Sequence, residues 1–294
     1  MRARITSVAL ALTLILTGCS SIYSTEPFVE ETFSALAEYE QQKLDWSSCY
    51  DYFDCTELRV PIDYEDLSVG TFRISVLRAA AKDSDKRLGS IVVNPGGPGG
   101  SGVDYAYAAD YIFSPDITDV YDIVGFDPRG VGRSAPIRCL TDDETDANYA
   151  SDAKPDNAQE FDTLVKEAQD YVAKCEKNTK NLTAYSTENA ARDMDVIRAV
   201  LGDKKLNYLG KSYGTYLGTL YAQFFPDKVG RMILDGALDP NISILEQNIS
   251  QAKGFDDALR AFITDCAKED DCPLPKNKIE ATAKIISIFT SSAT

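Results

Sequence analysis

Gly210-Lys211-Ser212-Tyr213-Gly214 is the stretch of this chain best built to do chemistry. An apolar run precedes it at 206–209, and a helical pattern follows at 216–225. In a G-x-S-x-G segment between strand and helix, the two glycines allow a turn too sharp for side chains. That turn pushes the Ser212 hydroxyl out at a helix N-terminus, where the dipole favours developing negative charge. The chemistry expected is nucleophilic attack through a covalent intermediate. A second glycine-rich stretch, Asn94-Pro95-Gly96-Gly97-Pro98-Gly99-Gly100-Ser101-Gly102, follows the apolar run 90–93. One backbone N–H from such a loop, with the N–H after the serine, makes an oxyanion hole.

Two other readings of these glycines compete. Gly210-Lys211-Ser212 also resembles the end of a phosphate-binding loop, but Lys205 stands where that motif needs its first glycine. Gly97, Gly99 and Gly102 match a dinucleotide fingerprint, but Pro98 in the turn and the separate serine elbow count against it. Asp127-Pro128-Arg129-Gly130-Val131-Gly132-Arg133-Ser134 reads as a structural loop in which Asp127 and Arg129 brace the site. The chain contains no histidine, so the usual general base near neutral pH is missing from its 294 residues. The reading requires no cofactor and no metal. The closely spaced cysteine pairs have a wider gap than zinc sites use.

The elements that must position these groups follow from apolar periodicity. Runs at 57–63, 71–80, 90–94, 121–127, 206–209 and 229–234 read as strands. Pro61 places the first at an edge. The later runs are continuously apolar, as expected of a sheet buried on both faces. Residues 188–201 read as a helix, with Ala190, Met194, Ile197 and Leu201 on one face and Gly202 at its end. Ser186 and Thr187 are its N-cap candidates, and Asp195 with Arg198 forms an i,i+3 pair on its outer face. The acidic stretch 141–156 reads as a solvated loop, and helical spacing returns at 255–263 and 279–288. Two early strands followed by strand–helix alternation predict an α/β fold: a mostly parallel sheet with helices on both faces.

A formal net charge of −16 excludes nucleic-acid binding, which needs a basic face. Arg2 and Arg4 precede the apolar residues 5–16, too short a run for a membrane span. Leu16-Thr17-Gly18-Cys19 then resembles the lipobox of bacterial lipoproteins. Residues 1–18 are thus expected to be a signal peptide and Cys19 the lipidated residue. An acidic tether at 19–45 would hold the protein to the outer face of the cytoplasmic membrane, or the protein would be secreted. Six cysteines remain, an even number suited to an oxidising compartment. Fifteen pairings are possible, and proximity favours Cys49–Cys55, Cys139–Cys175 and Cys266–Cys272.

The segments 96–99, 127–134 and 210–218 occur in that order, followed by Phe225-Pro226 and Val229-Gly230-Arg231-Met232-Ile233-Leu234-Asp235-Gly236. As a set they resemble the secreted tripeptidyl-aminopeptidase branch of the proline-iminopeptidase-like α/β hydrolases of actinobacteria. The resemblance implies an α/β-hydrolase core at 46–240 and the start of a helical cap at 241–294. It implies an exopeptidase that takes peptides with free N-termini through an acyl-enzyme. Ser212 would be the nucleophile, and the N–H groups of Gly97 and Tyr213 the oxyanion hole. The family places its acid and its histidine after further strands, so the chain is expected to be an inactive fragment lacking both. Asp235 and Asp239 lie near a strand end, but without a histidine to orient, the acid's role is empty. An esterase or lipase-like hydrolase on the same fold, and a non-catalytic ligand-binding surface lipoprotein, are the alternative readings.

Overall fold

The apolar runs become strands in the computed structural model, which describes residues 28–29 and 32–291. The export signal and Cys19 lie outside the described residues. The strands are β1 (Phe28–Val29), β2 (Ser47–Cys49), β3 (Phe53–Pro61), β4 (Thr71–Ala79), β5 (Gly89–Asn94), β6 (Tyr121–Phe126), β7 (Leu206–Lys211) and β8 (Val229–Asp235). They form one sheet in the order β2-β3-β4-β6-β5-β7-β8, with β1 paired to the start of β4. Pairing is antiparallel from β2 through β6 and parallel across β6, β5, β7 and β8.

The helices are α1 (Leu36–Glu40), α2 (Gly102–Tyr107), α3 (Ala109–Ile112), α4 (Pro115–Thr118), α5 (Asp142–Tyr149), α6 (Ala158–Asn178), α7 (Thr187–Val200), α8 (Tyr213–Phe224), α9 (Ile244–Cys266) and α10 (Lys278–Ser291). Neighbouring strand residues point to opposite faces, and the core divides accordingly. Val92 and Val124 join α7 and α8 in one cluster, whereas Val93 and Ile123 join α2 in the other. Both faces of the parallel strands are therefore covered, which is why their sequences read as unbroken apolar runs.

The edge position of β3 is satisfied in an unexpected way. Beyond the short β2, Arg59 turns its backbone toward the side chain of Gln42. The Gln42 amide donates to the Arg59 carbonyl at 2.8 Å and accepts from the Arg59 N–H at 2.9 Å. A side chain thus completes the ladder where no strand does.

Helix α7 forms for the reasons the sequence suggested. Ser186 accepts from the Asn189 N–H at 3.2 Å, Ala190, Met194 and Ile197 are buried, and Gly202 exits at φ +76°. The Asp195–Arg198 pair is a correction. Both residues are buried instead of lying on the outer face. Lys228 Nζ and the Tyr221 hydroxyl also bond the Asp195 carboxylate, at 2.6 and 3.1 Å, so its charge is compensated inside. The acidic stretch 141–156 is a second correction, because α5 occupies its first half. Thr141 and Glu144 form a reciprocal capping box that starts it without any apolar stripe. α8 begins at Tyr213, three residues ahead of the expected start, directly after Ser212.

All three cysteine pairs favoured by proximity are disulfides. Cys49–Cys55 closes the β2–β3 hairpin, and Cys139–Cys175 ties the loop after β6 to the last turn of α6. The chain divides into two compact units after Ala237. The second contains α9 and α10, with Ile263 and Ala281 buried and the Cys266–Cys272 bridge following α9.

Cys139–Cys175 spans 36 residues, the longest of the three loops. In the chain-entropy picture a loop of that size contributes about 3–4 kcal/mol. The double substitution Cys139→Ala with Cys175→Ala should lower the free energy of unfolding by about that amount in urea. Breaking Cys49–Cys55 should cost less.

Candidate active site

β5 and β7 are parallel neighbours with Asn94 opposite Gly210. Both glycine segments therefore leave the sheet side by side at the same end. Ser212 sits between β7 and α8 with φ 52° and ψ −120°, a conformation L-residues rarely adopt. Such strain costs ~1–3 kcal/mol and persists only where neighbours impose it. Here the Ser212 N–H donates to the Asp235 carbonyl at 2.9 Å, and the Thr215 hydroxyl donates to the Ser212 carbonyl at 2.6 Å. Beneath the turn, the buried Tyr208 hydroxyl donates to the Gly214 carbonyl at 2.8 Å. The Ser212 side chain itself is exposed.

The flanking glycines are fixed by contact. A Cβ on Gly210 would strike the Gly214 carbonyl oxygen, and one on Gly214 would lie 2.7 Å from the Asn94 oxygen. The glycine-rich loop approaches just as closely. A Cβ on Gly96 would sit 3.0 Å from both Ser212 Cβ and the Tyr213 nitrogen. The Gly96 N–H is already committed to Asn94 Oδ1 at 2.9 Å. Among the described residues, the N–H groups of Gly97 and Tyr213 have no acceptor. Tyr213 N–H is free because it opens α8, where the first turn has no intrahelical partner.

Asp127 holds this loop in place. Its fully buried carboxylate accepts from Ser101 Oγ at 2.5 Å and the Val103 N–H at 3.3 Å. It also accepts from the Arg133 N–H at 2.9 Å, and Arg133 Nη1 lies at 3.2 Å. The loop after β6 is thereby bolted to the start of α2. Arg129 faces elsewhere. It forms a bidentate buried pair with Asp193 on α7, at 2.8 and 2.6 Å. Its remaining donors reach the carbonyls of Pro61, Ile62 and Ala184. Asp127 braces the glycine loop, whereas Arg129 braces the scaffold behind it.

The two acids near the end of β8 each have a local partner. Asp235 Oδ2 pairs with Lys211 Nζ at 3.1 Å. The hydrogen bond that the Lys211 ammonium donates to Asp235 holds its pKa above the ordinary lysine value, so at neutral pH it is protonated and is no base. Asp239 belongs to the second unit and accepts from the Asn241 N–H at 2.9 Å. Sequence reasoning missed Tyr208, Asn94, Thr215 and Asp193. Asn94 and Thr215 adjoin the two motifs and were within reach. Nothing local marks Asp193 as the partner of a residue 64 positions away.

Residues 89–284 match the family model described as alpha/beta hydrolase fold. The chain belongs to that family. Serine protease Hip1 of Mycobacterium tuberculosis is 36% identical over 293 residues, covering 96% of this chain and 54% of that protein. Tripeptidyl aminopeptidase of Streptomyces lividans is 37% identical over 234 residues, or 76% and 44% of the two chains. Carboxylesterase B of Mycobacterium tuberculosis is 39% identical over 265 residues, or 85% and 50%. The chain spans about half the length of the curated relatives it matches. For an alpha/beta hydrolase the elbow geometry is the expected one.

The buried Arg129–Asp193 pair yields a stability test. Asp193→Ala would leave a guanidinium buried without its counter-charge, which typically costs about 3–5 kcal/mol. Urea denaturation should show that loss. A change below about 1 kcal/mol would mean the three carbonyls suffice to hold Arg129.

Proposed function

We propose that this chain carries the nucleophile and oxyanion-hole portion of an exported serine hydrolase that cleaves peptides from their free N-termini. One observation carries the reading: an exposed Ser212 in a strained elbow, facing a glycine loop, with the N–H groups of Gly97 and Tyr213 uncommitted. Ser212 Oγ attacks the scissile carbonyl as a base removes its proton. The carbonyl oxygen gains negative charge, and the N–H groups of Gly97 and Tyr213 stabilise it. The amine leaves with the proton, and water then releases the peptide from the acyl-enzyme.

The base is not a histidine of this chain, which has none. Lys211, the nearest amine in sequence, is held protonated by Asp235. Without a histidine the usual base for Ser212 is missing, so these 294 residues alone are catalytically silent or nearly so. Peptide substrates are supported by the relatives named serine protease and tripeptidyl aminopeptidase. The relative named carboxylesterase supports a second reading, hydrolysis of small esters. Lipidation at Cys19 would place the enzyme at a membrane surface outside the cytoplasm.

The decisive assay pairs peptide amides bearing free and blocked N-termini with short esters, using the protein with its complete catalytic set. Free-amine peptides should be cleaved and blocked ones spared, and Ser212→Ala should lose at least a thousandfold in kcat. Ester turnover without amide turnover would overturn the peptidase reading.

The 294-residue chain alone should label only slowly at Ser212 with a fluorophosphonate. Lys211→Met should leave that slow rate unchanged. A large drop on Lys211→Met would show that the lysine does act as the base.

A further inference from the structure

Helix α8 carries Ser212 at its N-terminal end. At its other end, ~18 Å away at 1.5 Å per residue, lies a separate pocket of about 270 Å³. It is set among α1, α7 and the C-terminal turn of α8. Its size approaches that of small-molecule sites, and like them it is mostly apolar with a few polar groups.

Arg192 is the distinctive group in its wall. The guanidinium lies over the rings of Tyr64 and Phe224, 5.8 and 5.4 Å from their centroids. Tyr64 is a rigid platform, because its hydroxyl donates to Asp193 Oδ1 at 2.8 Å. Among the described residues Arg192 makes no ion pair and no hydrogen bond. Its neighbour Asp193 is taken by Arg129. A guanidinium held by rings on its faces keeps its N–H edge for a bidentate acceptor.

The other charges in the pocket do not cancel it. Asp195 is already engaged by Arg198 and Lys228, at 2.8 and 2.6 Å. Glu40 has a distant partner in the same Lys228, at 3.9 Å. Of the pocket's three charged lining residues, Arg192, Glu40 and Asp195, the two acids are thus paired with cations outside the lining. Leu36, Val196 and Phe225 supply an apolar wall.

We propose that this pocket is a second ligand site, distinct from Ser212, for a small monocarboxylate with an apolar body. The carboxylate takes the free edge of Arg192, and the body lies against Leu36, Val196 and Phe225. Glu40 discriminates against a second negative charge.

The test is calorimetric titration of the purified 294-residue chain with 3-phenylpropanoate, 3-phenylpropanamide and phenylsuccinate. The monocarboxylate should bind at least tenfold more tightly than the amide and the dicarboxylate. Arg192→Gln should abolish the preference over the amide. Leu36→Trp, which fills the pocket without touching a charge, should abolish binding of the monocarboxylate. Circular dichroism confirms that each variant is folded. Equal affinity for acid and amide, or no binding of the acid to the unmodified chain, would overturn the proposal. So would full retention of binding in Arg192→Gln.

Discussion

The parallel pairing of β5 with β7, with Asn94 opposite Gly210, is the constraint on which the site depends. It brings two turns out of the sheet at one level and leaves no room between them. Gly96, Gly210 and Gly214 are required because backbone atoms fill the space a Cβ would need. A one-residue slip would reverse every side chain of β7 and move Tyr208 from the core to the other face. The elbow would then lose the hydroxyl beneath it. The strain at Ser212 is thus stabilised by burial two strands wide, not by the turn alone.

Around this frame the protein keeps its buried charges in closed groups. The Arg129–Asp193 pair joins the β3–β4 connection to α7. Asp195 gathers Arg198, Lys228 and Tyr221 two residues further along the same helix. Each group costs desolvation, so neither is strong evidence of stability by itself. Both are directional, however, and both converge on α7. The helix that covers the parallel strands is thereby fixed in rotation as well as position, which apolar packing alone does less sharply.

Most strands were legible because a sheet covered on both faces leaves unbroken apolar runs. The elbow was legible because its glycine–serine–glycine spacing is local, even though Gly210 is required by Gly214 and Gly214 by the distant Asn94. Partnerships across long stretches of chain were not. Gln42 completing the edge of β3, and Asp193 meeting Arg129, depend on distances no local pattern encodes. α5 was misread because it lacks an apolar stripe and is started by its capping box alone. The Asp195–Arg198 spacing was seen correctly and placed on the wrong face, because Lys228 and Tyr221 arrive from elsewhere to make burial affordable.

The proposed chemistry separates into parts with different geometric demands. An oxyanion hole must hold two N–H groups at fixed positions before charge develops, so it must be built from rigid backbone. Here that rigidity comes from Asn94 on Gly96, Asp127 on the glycine loop and the opening of α8. A general base has a looser requirement, since it needs only hydrogen-bond reach of one hydroxyl and its own orienting partner. The first part must be formed by neighbouring strands of one sheet, while the second can arrive from distant sequence. Ser212 is exposed, and the adjacent Lys211 amine is paired with Asp235. The rigid half of the proposed chemistry is therefore the half built into this sheet, in a chain that has no histidine.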